Sequence, residues 1–120
     1  MDLSASFKDL VVWQRAVQLT VAIYNFTSTF PVSERFGLTN QLRRASVSIA
    51  SNIAEGYGRS TKGEYLLFLG HARGSKCEVE TQLVIAEALG YGSVKDRLLA
   101  EGLSDEIGRM LVVMMSKLQK

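Results

Sequence analysis

One proline, Pro31, interrupts a chain of 120 residues whose apolar positions recur at helical spacing. Proline removes a backbone donor and blocks a helix interior, whereas sandwiches and barrels punctuate their chains with turn residues. So little punctuation, with a 3–4 apolar period, predicts an all-α fold. Hydrophobic residues make up 47% of the chain, which is ample for a core and far from a disordered composition. At this length a single domain over residues 1–120 is expected.

Caps and periodicity predict four helices, about 9–29, 38–55, 61–89 and 94–118, in an antiparallel up-down bundle. Asp9 is the expected N-cap of the first helix, which stops before Pro31. That helix carries two apolar stripes roughly 120° apart. Leu10, Trp13, Val17 and Tyr24 form one, and Val12, Leu19, Ile23, Phe26 and Phe30 form the other. The second helix shows a core stripe of Leu38, Leu42, Ala45, Ile49 and Ile53, a flank of Val47, Ala50 and Ala54, and Gly56 as its C′ residue. Thr61 and Glu64 read as a capping box for the third helix, with Gly90 as its stop. Ser93 caps the fourth, whose expected seam is Val94, Leu98, Ile107, Leu111, Met114 and Leu118. Two stripes and a flank exceed what one bundle buries, so a homo-oligomer is expected. Its interface would use Val12, Leu19, Ile23, Phe26, Val47, Ala50 and Ala54.

The formal net charge is only +2, but it is unevenly spread. Residues 35–76 hold seven basic side chains against Glu55 and Glu64, and the rest of the chain is net acidic. An anionic partner is the functional reading, with Arg43, Arg44, Arg59, Lys62 and Arg73 contacting nucleic-acid phosphates. The structural reading carries equal weight. Glu55 and Glu78 would form structural ion pairs with Arg43, Arg44 or Arg73, at least one carboxylate being buried. Ser48 and Asn52 are expected to satisfy backbone groups at a helix end.

Catalytic signatures are missing. Gly58-Arg59-Ser60-Thr61-Lys62-Gly63 is half a phosphate loop, but Glu64-Tyr65 follows where Lys and Ser/Thr belong. His71 is the only histidine, and Cys77 the only cysteine, expected as a small buried residue. No Glu-x-x-His pair of a di-metal bundle occurs. The expectation is no enzyme, no cofactor and no metal; an interface site near Glu55, Arg59 and Glu78 is the weak enzymatic option. No apolar run reaches membrane-spanning length, and Met1-Asp2-Leu3-Ser4 lacks a signal-peptide pattern. A cytoplasmic protein without membrane contact is expected.

Helices two and three carry the text Gly37-Leu38-Thr39-Asn40-Gln41-Leu42-Arg43-Arg44-Ala45-Ser46-Val47-Ser48-Ile49, then Asn52-Ile53-Ala54-Glu55-Gly56 and Gly58-Arg59. Glu64-Tyr65, Phe68-Leu69, Ala72-Arg73-Gly74-Ser75 and Glu78-Val79-Glu80-Thr81-Gln82 follow, and Phe7-Lys8-Asp9-Leu10-Val11-Val12-Trp13 opens the first helix. This resembles the four-helix-bundle proteins named for the 23S rRNA intervening sequences in which some are encoded. The resemblance implies a ring, typically a homopentamer with a central channel, and no enzymatic activity. It also covers a related branch, the accessory proteins of diversity-generating retroelements, basic pentamers that engage a reverse transcriptase and structured nucleic acid. This chain departs from that branch in being nearly neutral. The expected function is a non-catalytic pentamer binding structured RNA in preference to DNA. The alternative is a protein-interaction scaffold or polymerase accessory subunit without nucleic-acid contact.

Overall fold

The computed structural model describes residues 6–120, so Met1-Asp2-Leu3-Ser4 lies outside it. Every regular element among the described residues is helical: α1 (Val11–Thr27), α2 (Leu38–Tyr57), α3 (Lys62–Leu89) and α4 (Val94–Leu118). Single 3₁₀ turns at Phe7–Asp9 and Val32–Glu34 precede α1 and α2.

The caps explain most boundaries. Thr61 Oγ1 accepts the Glu64 N–H at 3.1 Å, and Ser93 Oγ accepts that of Asp96 at 3.1 Å. Gly90, at φ +73°, terminates α3. The start of α1 differs from expectation. Asp9 is not its N-cap but accepts the Ser6 N–H at 3.0 Å, closing a capping box around the 3₁₀ turn. α2 also runs past Gly56, which is buried inside it rather than ending it. A Cβ there would lie 2.8 Å from Phe68 Cβ, so this glycine serves the approach of α3.

α1 touches α2 and α4, and α3 touches the same two, while neither diagonal pair is in contact. Four helices therefore stand at the corners of a square around one core. The two connectors meet at one end: Phe30 packs on Tyr91 with ring centroids 5.4 Å apart, and the Tyr91 hydroxyl donates to Glu34 Oε2 at 3.2 Å. Desolvation, with the Glu34 carboxylate second, raises the Tyr91 pKa above its usual value and keeps that hydroxyl a donor. On the α1–α4 side Arg15 Nε lies 2.8 Å from Glu106 Oε1. Between α2 and α3 the hydroxyls of Ser48 and Ser75 bond at 2.9 Å. Asn52 Nδ2 donates to the Ser48 carbonyl and hydroxyl, so this group sits in mid-helix rather than at a helix end.

The core corrects the expected interface. Leu19, Ile23 and Phe26 are fully buried and Val12 is 3% exposed, all within one chain. These four residues belong to the internal core and offer no surface to a neighbouring copy. α1 turns the stripe of Val12, Leu19, Ile23 and Phe26 inward, and the Leu10–Trp13–Val17–Tyr24 stripe is left at the rim. α4 differs too. Val94 and Leu98 are exposed, whereas Ala100, Ser104, Ile107 and Leu111 are buried. Small residues occupy the buried positions 100 and 104, while the first turn of α4 projects Val94 into solvent. Cys77 is exposed, not buried.

Candidate nucleic-acid interface

The five cations singled out from sequence separate into two groups. Arg43 is held at the α1–α2 seam, where its Nε donates to Thr27 Oγ1 at 2.9 Å and its guanidinium lies 4.5 Å from the Tyr24 ring centroid. Arg59 follows α2 with Nη2 2.8 Å from Glu55 Oε1 and its guanidinium 4.5 Å from the Phe68 ring centroid. Both are occupied by neighbours. Arg44, Lys62 and Arg73 are exposed and have no ion-pair partner among the described residues.

Those three free cations do not share one patch. Arg44 lines the cleft between α2 and α3 and also the α1–α2 side. Arg73 lines the α3–α4 cleft with Lys76, Asp105 and Arg109. Lys62 opens α3, roughly 16 Å along the helix from Arg73 at the usual rise. Lys76 is paired with Glu80, but Arg109 is exposed and free of ion pairs among the described residues. Arg109 lies outside the basic stretch of the sequence. Only the packing of α4 on α3 brings it beside Arg73.

The structural ion pairs are corrected. The Glu55 side chain is 54% exposed and pairs with Arg59 rather than Arg43, Arg44 or Arg73. Glu78 is exposed and makes no ion pair among the described residues. Both positions flank the α2–α3 contact line, where Ser75, Val79 and Gln82 are buried. An i,i+4 pair in water contributes at most about 0.5 kcal/mol. Glu55→Ala and Glu78→Ala are accordingly expected to shift the urea unfolding free energy by less than about 1 kcal/mol each. A loss of several kcal/mol for either would restore the buried pair.

Val47, Ala50 and Ala54 face an open apolar groove of about 300 Å³ on the α1–α2 side, together with Trp13, Val17 and Val21. Val21 is 54% exposed and Val47 43%. His71 is exposed, its ring edge-on to Phe68 at 5.7 Å. Among the described residues no three His, Cys, Asp or Glu side chains are grouped to hold a metal ion. No helix among them is long and apolar enough to cross a membrane.

No curated protein matches the chain. A protein with unknown function from the S23 ribosomal protein family of Bacteroides thetaiotaomicron has a similar structure, with a TM-score of 0.78 and 22% identity. The similarity covers 88% of this chain and 98% of that one. At that identity the likeness establishes the fold alone. The family profile described as 23S rRNA-intervening sequence protein matches residues 8–113. With nearly its whole length matched, the chain belongs to the 23S rRNA-intervening sequence protein family.

Proposed function

We propose that this protein is a non-catalytic, antiparallel bundle that closes into a ring with copies of itself and binds structured nucleic acid, RNA in preference to DNA. The observation that carries the reading is the exposure of Arg44, Lys62 and Arg73 without an ion-pair partner among the described residues. Unpaired surface cations are the groups that exchange condensed counterions for protein contacts along a phosphate backbone. Arg43 and Arg59, stacked on aromatic rings, contribute through the local field. Ring symmetry repeats three scattered cations around an axis, so a weak monomer surface becomes a multivalent one.

The assembly half of the proposal draws on the two apolar faces. The groove between α1 and α2 lies opposite the α3–α4 cleft, which presents Val112 and Val113 at 49% and 53% exposure. Different surfaces on opposite sides of one subunit suit head-to-tail contacts, which close into rings when the rotation permits. Five is the copy number that the family resemblance implies. Ala50→Glu is expected to yield a folded monomer by light scattering, because it places a charge in the groove at a partly buried position on the edge of the core.

Binding is tested by titrating a labelled RNA hairpin at low and moderate salt. The wild type should bind at low salt and weaken at least about tenfold between roughly 50 and 200 mM. The double variant Lys62→Glu with Arg73→Glu should lose most of that affinity while keeping its helicity. Absence of RNA and DNA binding at low salt would favour the scaffold reading instead. The observation behind that second reading is the α1–α2 connector, where Val32 is 87% and Phe36 84% exposed. Large exposed apolar side chains on a connector suit a protein partner.

A further inference from the structure

Between α2 and α3 lies a cleft of about 400 Å³, walled by Gln41, Arg44 and Ser48 on one side and Ser75, Glu78 and Gln82 on the other. Its lining is polar, unlike the apolar α1–α2 groove. Gln82 is only 9% exposed, and its Oε1 is enclosed without any hydrogen-bond partner. Buried amide groups are nearly always satisfied. The position continues the Val79–Leu83–Ala86 seam, where an apolar side chain would carry no such penalty. Arg44 and Glu78 line the same cleft with opposite charges, yet no ion pair joins them. An anion receptor and a cation receptor therefore face one space, beside a buried acceptor that lacks a donor.

We propose that this cleft binds a small zwitterion of the free α-amino acid class. The ligand carboxylate takes the Arg44 guanidinium, which suits carboxylate geometry. The ligand ammonium takes the Glu78 carboxylate, and Gln82 Oε1, enclosed and without a partner among the described residues, turns toward the cleft to accept from it. Ser48 and Ser75, already bonded to each other, set the floor. The volume falls at the small end of ligand pockets, about 300–1,000 Å³. Two other ligand classes fit less well. A free phosphate would meet the Glu78 carboxylate. A nucleobase would find no ring on which to stack, since none of the lining residues is aromatic.

The test uses the full chain and the twenty common α-amino acids, one at a time, at about 10 mM in thermal melting, with calorimetry for any that act. Acetate, methylammonium, inorganic phosphate and guanosine serve as comparison probes. At least one amino acid should raise Tm by about 4 °C or more, and acetate or methylammonium alone should not. Arg44→Gln and Glu78→Gln, both at exposed positions, should each weaken binding at least about tenfold. Gln82→Leu should remain folded and lose binding. No response to any amino acid would overturn the proposal, as would stronger binding of phosphate or guanosine, or undiminished binding by Glu78→Gln. The RNA titration above varies Lys62 and Arg73 and this test varies Glu78 and Gln82, so failure of one proposal is distinguishable from failure of the other, with Arg44 common to both.

Discussion

Ile23→Asp is expected to abolish the folded state, leaving no cooperative transition in urea and little helical circular dichroism at room temperature. Ile23 is fully buried in α1, in the same core as Leu19, Phe26, Leu42 and Ile107. The substitution removes a core side chain and places a carboxylate where the surrounding residues are apolar. The loss of packing alone is worth about 2–5 kcal/mol, and the unsolvated carboxylate adds several more. A sum above about 5 kcal/mol meets or exceeds the whole stability of many domains. Had Ile23 been an interface residue, the same change would give a folded monomer. Ala50→Glu and Ile23→Asp thus separate groove from core, and a folded, soluble Ile23→Asp variant would overturn the core assignment.

Gly92→Ala should lower stability by about 3 kcal/mol, from two additive causes. Gly92 has φ +75°, where a Cβ costs about 1–2 kcal/mol. A Cβ there would also lie 2.6 Å from Phe26 Cδ1 and nearer still to Cε1. The Phe26 ring has nowhere to go, because it is fully buried and packs edge-on against Phe30 at 5.1 Å. Forcing a filled core to accommodate a methyl group costs about 1–3 kcal/mol. The melting temperature should fall by about 10 °C or more. Gly90→Ala is the control: φ is +73°, but no atom lies within 4 Å of its would-be Cβ. It should cost only about 1 kcal/mol. Equal losses for the two variants would mean that the Phe26 ring yields freely.

Much of the fold is legible in local chemistry. Thr61, Ser93 and Gly90 mark helix ends because caps and positive φ are decided by a few neighbouring residues. The facing of α1 is not legible in the same way. Its two stripes are both apolar, and only packing between α2 and α4 selects the one with Leu19 and Phe26. The seam of α4 was hidden for a related reason. Burial there falls on Ala100 and Ser104, which permit close approach, whereas a hydrophobicity reading favours Val94 and Leu98. The candidate site was legible in composition but not in arrangement. Arg44 and Arg73 lie in one basic stretch, yet the rotation of α3 against α2 turns them into different clefts. The burial of Gln82 is not legible in the same way, because a polar side chain does not mark a seam. Its spacing from Val79 and Ala86 was the available signal.

The close contact of α2 and α3 through Gly56 and the Ser48–Ser75 pair sets an order of events for the folding chain. Four residues separate these two helices, so bringing them into contact has a small entropic cost. The α1–α4 side, tied by Arg15 and Glu106, closes over a sequence separation of 91. This helix pair is therefore expected to form a nucleus onto which α1 and α4 condense. The two flanking helices are then expected to release first when the protein opens, and the central pair to keep its amide protons longest in hydrogen exchange.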